Sequence, residues 1–153
     1  MRWIVAFGLV LVAAFAGAER ILLVPLDSRP AAGQFAQMIG RIGVAETRFP
    51  PYETLGKFTV PGDPDAILDW LAAADPTDVT AVIVSTDMIA YGGLVASRED
   101  GVSLAKAEAR VKRLEAIRAK FPKVPFYLFS STMRLAPTAT KATSLTTDSN
   151  AIA

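Results

Sequence analysis

The segment VTAVIVS at residues 79–85 is the clearest strand in the sequence. Its β-branched residues favour extended structure, and a nearly unbroken apolar run is typical of a strand buried on both faces of a parallel sheet. ILLVPL at residues 21–26 has the same character, and residues 44–49 and 124–129 are predicted as two further strands. The sequence therefore predicts four strands in one sheet.

Helices are predicted between these strands. The first begins near Pro30, after a cap at Ser28 or Arg29. Its apolar side chains recur at the spacing of one helix face: Phe35, Met38, Ile39 and Ile42. Asp63 is predicted to cap the second helix, and Ser103 the third. The third helix carries its basic residues on faces that we expect to be solvated: Lys106, Arg110, Lys112, Arg113 and Lys120.

Strands and helices thus alternate in the order β-α-β-α-β-α-β. This order predicts an α/β fold with a parallel four-stranded sheet and flanking helices. Two architectures fit it, a Rossmann-like open sheet and the first half of a β/α barrel. Residues 52–62 and 86–102 are predicted as loops.

The composition restricts the chemistry that the protein can perform. The chain has 153 residues, of which 52% are hydrophobic and 20% are charged, so it can bury the core of one domain. It contains no cysteine and no histidine, which excludes disulfides, thiol nucleophiles and triads that need histidine. Its formal net charge of +1 argues against a nucleic-acid partner.

The two ends of the chain differ from its middle. Residues 1–18 contain Arg2, an apolar run at residues 3–15 and then Ala-Gly-Ala, which together predict a secretory signal peptide. We therefore expect export to the periplasm or the extracellular space, with membrane contact only during export. Residues 19–135 are predicted as the α/β domain. Residues 136–153 are rich in Ala, Thr and Ser and are predicted to be disordered.

Polar side chains cluster where the predicted strands end. Asp27 follows the first strand and Asp87 the third, and the carboxyl ends of parallel strands form the usual ligand site of α/β folds. With Tyr91, these carboxylates are predicted as catalytic residues, and the pair is also able to hold a hard cation. The predicted substrate-binding residues come from the same strand ends: Arg29, Gly92, Gly93, Arg98, Ser131 and Arg134. The second strand ends in two prolines and contributes no candidate.

Each of these residues also has a structural interpretation. Asp27 is suited to capping the first helix, and Asp87 to an ion pair with Arg29 or Arg98. Tyr91-Gly92-Gly93 is consistent with a tight turn. Trp70 and Met38 fall on helix faces and are predicted to be packing residues. The sequence assigns no metal ligands, identifies no cofactor and leaves open whether a divalent cation binds Asp27 and Asp87.

Four stretches resemble a bacterial family, domain of unknown function 4127. They are LLVPLDSRP (22–30), FTVPGDPDAILDWL (58–71), VSTDMIAYGGLVASR (84–98) and STMRLAPT (131–138). The resemblance covers residues 20–138 and implies no activity, because the family has none assigned. It marks as family features Asp27, Arg29, Pro30, Gly62, Asp63, Asp87, Tyr91, Gly92, Gly93, Arg98 and Arg134. Chains of the family extend further, which raises the hypothesis of a truncated, inactive fragment.

Three functions follow as hypotheses from the sequence. The first is an exported, hydrolase-like enzyme that acts on a carbohydrate or a small anionic molecule at the strand ends. The second is a periplasmic or secreted module that binds such a ligand without turnover. The third is the inactive fragment.

Overall fold

The structure, a computed structural model, describes residues 19–57 and 59–132. The predicted signal peptide and the predicted disordered tail lie outside the described residues. Within the described part of the chain, none of the helices has the length and apolar character that a bilayer span requires.

A single sheet of four parallel strands forms the centre of the fold. Its strands are β1 (Glu19–Val24), β2 (Ala45–Arg48), β3 (Ala81–Ser85) and β4 (Phe126–Phe129), in the order β2-β1-β3-β4. The predicted parallel four-stranded sheet is confirmed. Successive barrel strands would be neighbours in chain order, whereas here β1 lies between β2 and β3, as in an open, doubly wound sheet.

Four α-helices connect these strands: α1 (Gln34–Ile42), α2 (Pro64–Ala73), α3 (Thr86–Tyr91) and α4 (Leu104–Arg118). Short 3-10 turns occur at Tyr52–Leu55, Pro76–Asp78 and Ala96–Arg98. The predicted caps of the second and third helices are confirmed, because Asp63 accepts hydrogen bonds from two backbone amides of α2, and Ser103 accepts one from α4. These caps satisfy amides that have no partner inside the helix.

Two helix predictions were wrong. The first helix begins at Gln34 and not near Pro30, since residues 30–33 form a turn and Gly33 precedes the helix without a side-chain cap. The segment 86–102, predicted as a loop, contains α3 and a 3-10 turn. The Ser85 hydroxyl accepts a hydrogen bond from the Met88 amide and so starts α3 directly after β3.

The core lies on the side of the sheet that α2 and α4 cover. Leu22 and Val24 of β1 pack with Val82 and Val84 of β3 and with the apolar faces of both helices. Trp70 packs against this cluster, as predicted. Burial of these strands is expected, because the strands of a parallel sheet are usually covered on both faces.

The apolar face of α1 behaves differently. Its side chains are exposed: Phe35, Met38, Ile39 and Ile42. Ile42, the most exposed, retains 85% of its accessible surface. The prediction that Met38 is a packing residue was therefore wrong, because helical spacing reveals a shared face but not whether another element covers it.

Candidate functional site

Asp27 forms a close ion pair with Arg29 directly after β1. The Asp27 carboxylate is buried, and its Oδ2 accepts a hydrogen bond from Arg29 Nη2 at 2.6 Å. Arg29 Nε lies 3.0 Å from each carboxylate oxygen, and the Arg29 backbone amide donates to Oδ1, also at 3.0 Å. Both oxygens are therefore engaged by one neighbouring residue, and Asp27 fixes the orientation of the guanidinium.

This pair changes the interpretation of Asp27. Its hydrogen bond to the guanidinium, together with the attraction between the two charges, raises the pKa of Arg29. The structural alternative, in which Asp27 caps the first helix, is not observed, since α1 begins after Gly33 without a side-chain cap. Asp27 instead stabilises the turn that leaves β1.

Asp87 lies in the first turn of α3, at the end of the neighbouring strand β3. It is also buried, and its Oδ2 accepts a hydrogen bond from the Ser131 backbone amide at 2.8 Å. Oδ1 accepts no hydrogen bond from the described residues, and within them no ion pair joins Asp87 to Arg29 or Arg98. Thr86 donates to the Phe129 carbonyl at 3.1 Å, so two contacts join the ends of β3 and β4.

The glycines after α3 bring the two strand ends together. Gly92 and Gly93 have φ angles of +94° and +127°, which side chains rarely tolerate. The Gly93 amide donates to the Asp87 carbonyl at 3.3 Å. A Cβ on Gly93 would lie 3.3 Å from the Leu26 carbonyl and 3.8 Å from the Asp27 Cβ. The Gly-Gly pair is thus a tight turn that lets the end of α3 lie against the segment after β1.

The other predicted residues differ in how closely they belong to this edge. Ser131 contacts Asp87 through its backbone amide, and Tyr91 is the half-buried last residue of α3. Arg98 ends a 3-10 turn farther along the chain, and no salt bridge within residues 19–57 and 59–132 includes it. Arg134 lies outside the described residues.

A cleft of about 390 Å³ opens beside the Asp27–Arg29 pair. Besides that pair, it is lined by residues that the sequence did not mark as candidates: Gln34 and Gln37 of α1, and Phe49 and Tyr52 after β2. The end of the second strand, where the sequence suggested little chemistry, thus lines this cleft. β2 pairs with β1, so the segment that follows Pro50 and Pro51 returns alongside the segment that follows β1.

Arg110 stabilises the part of the site that follows β3. It was predicted on a solvated face, but it is buried, and it donates to the Ala90 carbonyl at 3.0 Å and to Asp65 Oδ2 at 2.9 Å. Its hydrogen bond holds the pKa of Asp65 below the usual range. Arg110 therefore joins α4 to α2 and to the end of α3, immediately before the Gly-Gly turn.

The polar edge contains oxygen and guanidinium groups, and the oxygen groups could in principle contact a cation. Among the described residues, no group of three or more Asp or Glu side chains is arranged to hold a metal ion. Asp27 is committed to Arg29, which also argues against a cation shared between Asp27 and Asp87.

Comparison with known proteins identifies the family. A model for the family described as protein of unknown function (DUF4127) matches residues 21–148. The chain belongs to DUF4127. The match covers all of β1 except its first two residues, the whole described part of the site, and much of the segment predicted to be disordered. Searches of curated proteins and of solved structures gave no significant match to this DUF4127 chain.

Proposed function

We propose that this DUF4127 chain is an exported enzyme that hydrolyses a carbohydrate or a small anionic substrate at the carboxyl edge of its sheet. One observation carries the proposal. Two buried carboxylates, Asp27 and Asp87, follow the adjacent strands β1 and β3. In doubly wound sheets ligands bind at this point, where the strand order reverses and the connections leave on opposite sides.

The contacts support different roles for the two carboxylates. Both oxygens of Asp27 accept hydrogen bonds from Arg29, so Asp27 is a positioning residue for that cation. Asp87 accepts one hydrogen bond through Oδ2, and its Oδ1 accepts none from the described residues. We therefore assign the acid–base step to Asp87 and the binding of substrate to Arg29.

In this mechanism Asp87 acts as a general base. Its Oδ1 accepts a proton from a water molecule while the water oxygen bonds to the electrophilic atom of the substrate. The bond from that atom to the leaving oxygen breaks, the leaving oxygen takes up a proton from solvent, and Asp87 returns its own proton to solvent. Tyr91 assists from the end of α3. The remaining substrate-binding residues are those predicted from the sequence: Gly92, Gly93, Arg98, Ser131 and Arg134.

Chromogenic substrates test the proposal directly. The probes are the p-nitrophenyl glycosides of glucose, galactose and mannose, together with p-nitrophenyl phosphate as an anionic substrate. We expect Asp87→Asn to lower the rate on the accepted probe by about 10²- to 10⁴-fold, the usual contribution of a general base. Asp100→Asn, which changes an exposed carboxylate elsewhere, is the matched control and should leave the rate unchanged. Equal rates for wild type and Asp87→Asn would contradict the proposal.

Ligand binding without turnover is a second candidate function. It is favoured by the engagement of both Asp27 oxygens with Arg29, which leaves only one of the two carboxylates suited to proton transfer. This function predicts that a ligand raises the melting temperature of wild type and of Asp87→Asn equally, with no release of p-nitrophenol from any probe.

Export through residues 1–18 is part of the proposal, as is the absence of a nucleic-acid partner. The intact mass of the product secreted by the native host tests export, because cleavage after Ala18 removes the first eighteen residues. The same mass tests the hypothesis of a truncated fragment, since a much larger product would show that these residues are part of a longer chain.

A further inference from the structure

We propose that the cleft between the ends of β1 and β2 is a subsite for a neutral sugar ring. The inference rests on the proposed function in that it names the substrate class at the same edge of the sheet. It chooses the carbohydrate over the anionic small molecule, and the choice depends on the residues that line the cleft.

The charge of the cleft is balanced. Among the described residues that line it, Asp27 and Arg29 are the only ionised side chains, and they pair with each other. A charged ligand would lose hydration on entering and would meet an ion pair of zero net charge. A neutral polyhydroxyl ligand loses less on transfer, and the fixed guanidinium and carboxylate still provide directional hydrogen-bonding groups at the wall.

The uncharged polar groups of the cleft suit hydroxyl groups. Gln34 and Gln37 lie one turn apart on α1, and they are the only glutamines in the chain. Each amide both donates and accepts hydrogen bonds, which matches hydroxyl groups that do the same. The concentration of both glutamines at one cleft is the strongest sign in its lining that a polar, uncharged ligand binds there.

Two aromatic residues from the segment after β2 also line the cleft. The Phe49 ring packs against the start of α1, where a Cβ on Gly33 would lie 3.2 Å from its Cε1. The Tyr52 hydroxyl donates to the Ser28 carbonyl at 3.2 Å, so its ring is tied to the segment that follows β1. Aromatic walls with a few polar groups are typical of small-molecule pockets, and the C–H face of a sugar ring packs well on an aromatic ring.

The size of the cleft limits the ligand to a small one. Its volume of about 390 Å³ is near the lower end of the range for small-molecule pockets, roughly 300–1,000 Å³. We therefore expect one sugar ring in the cleft, with its linked group directed along the sheet edge toward Asp87.

The test uses matched pairs of ligands that differ only in charge. Methyl glucoside, methyl galactoside and methyl mannoside are compared with the corresponding methyl uronates by saturation-transfer NMR and by titration calorimetry on the full chain. We expect at least one neutral glycoside to bind at least tenfold more tightly than its uronate. Tighter binding of all three uronates, or no binding of any of the six at millimolar concentration, would overturn the inference.

Variants of the cleft provide a second, independent measurement. Gln37→Leu and Tyr52→Phe should each weaken binding of the neutral glycoside, while Tyr127→Phe, on the exposed surface of β4, should leave it unchanged. Gln37→Lys adds a positive charge and should shift the preference toward the uronate by at least tenfold. Unchanged affinities in all three cleft variants would contradict the inference.

These measurements separate the inference from the proposed function. Binding of a neutral glycoside without turnover would support the sugar subsite and contradict the proposed hydrolase activity. Turnover with a KM that none of the cleft variants alters would support the proposed hydrolase activity and contradict the sugar subsite.

Discussion

The segments that follow β1 and β3 each contain a buried Asp near the strand end, but the surroundings of the two carboxylates differ. Asp27 and Asp87 are equally buried, at 6% exposure each, at adjacent strand ends. Asp27 is engaged by a guanidinium through both oxygens, whereas Asp87 accepts one backbone amide. Burial and position at the sheet edge are therefore not enough to assign a chemical role, and the hydrogen-bond partners distinguish the two residues.

The support beneath the two strand ends also differs. The β1 side is held mainly by a residue two positions along the chain, with one longer-range hydrogen bond from the Tyr52 hydroxyl to the Ser28 carbonyl. The β3 side is held by distant elements, through Ser131 after β4, through the Gly-Gly turn against Gly62, and through Arg110 of α4. We expect changes on the β3 side to affect the stability of the whole domain, and changes on the β1 side to remain local.

The largest effect on stability is expected at Gly92. Its φ of +94° and a Cβ position 2.9 Å from the Gly62 carbonyl make Gly92→Ala both strained and crowded. We expect a loss of about 1–3 kcal/mol in the free energy of unfolding. Gly101→Ala is the matched control, because nothing lies within 4 Å of its Cβ position. Equal melting temperatures for the two variants would show that the β3 side does not depend on this turn.

Replacing each carboxylate with the corresponding amide should change the free energy of unfolding by different amounts. Asp27→Asn removes the charge that holds Arg29 and should cost about 1 kcal/mol, a modest value because the Arg29 side chain is 43% exposed. Asp87→Asn keeps an oxygen that accepts the Ser131 amide, so it should change the free energy of unfolding by less than about 0.5 kcal/mol. Chemical denaturation of both variants measures the difference, and the reverse order would contradict the assigned contacts.

The smallest effect concerns pH. Arg110 lowers the pKa of Asp65 in the folded protein, so this contact stabilises the fold above the unfolded-state pKa of about 3.9. That stabilisation is lost as the pH falls through the lower, folded-state pKa. Because the Asp65 side chain is 52% exposed, we expect less than about 1 kcal/mol. The difference in melting temperature between wild type and Asp65→Asn should shrink progressively as the pH is lowered from 6 to 2. A constant difference would contradict the contribution of this pair.

Local sequence patterns were sufficient for much of the fold. β-branched apolar runs predicted the strands, and the caps Asp63 and Ser103 predicted the starts of α2 and α4, because these signals depend only on neighbouring residues. α3 was not predicted, since its six residues are too short to show an apolar period. The burial of Arg110 and the exposure of the α1 face depend on which elements pack together, and local patterns do not contain that information.

The candidate site was predicted only in part, for the same reason. Placement after strand ends was enough to suggest Asp27 and Asp87, but it did not predict that Arg29 engages both oxygens of Asp27. The cleft residues Gln37 and Tyr52 come from segments separated by β2, and they meet because β2 pairs with β1. The strand order β2-β1-β3-β4 is a tertiary property, so the sequence alone was consistent with two architectures.

The division of roles between the two carboxylates is tested most directly by steady-state kinetics on the p-nitrophenyl glycoside that the wild type accepts. The account predicts that Asp87→Asn lowers kcat by about 10²- to 10⁴-fold with little change in KM, since it removes a group that acts in the transition state. It predicts that Asp27→Asn raises KM and leaves kcat nearly unchanged, because it loosens Arg29. A fall in kcat of similar size in both variants, or in neither, would contradict it.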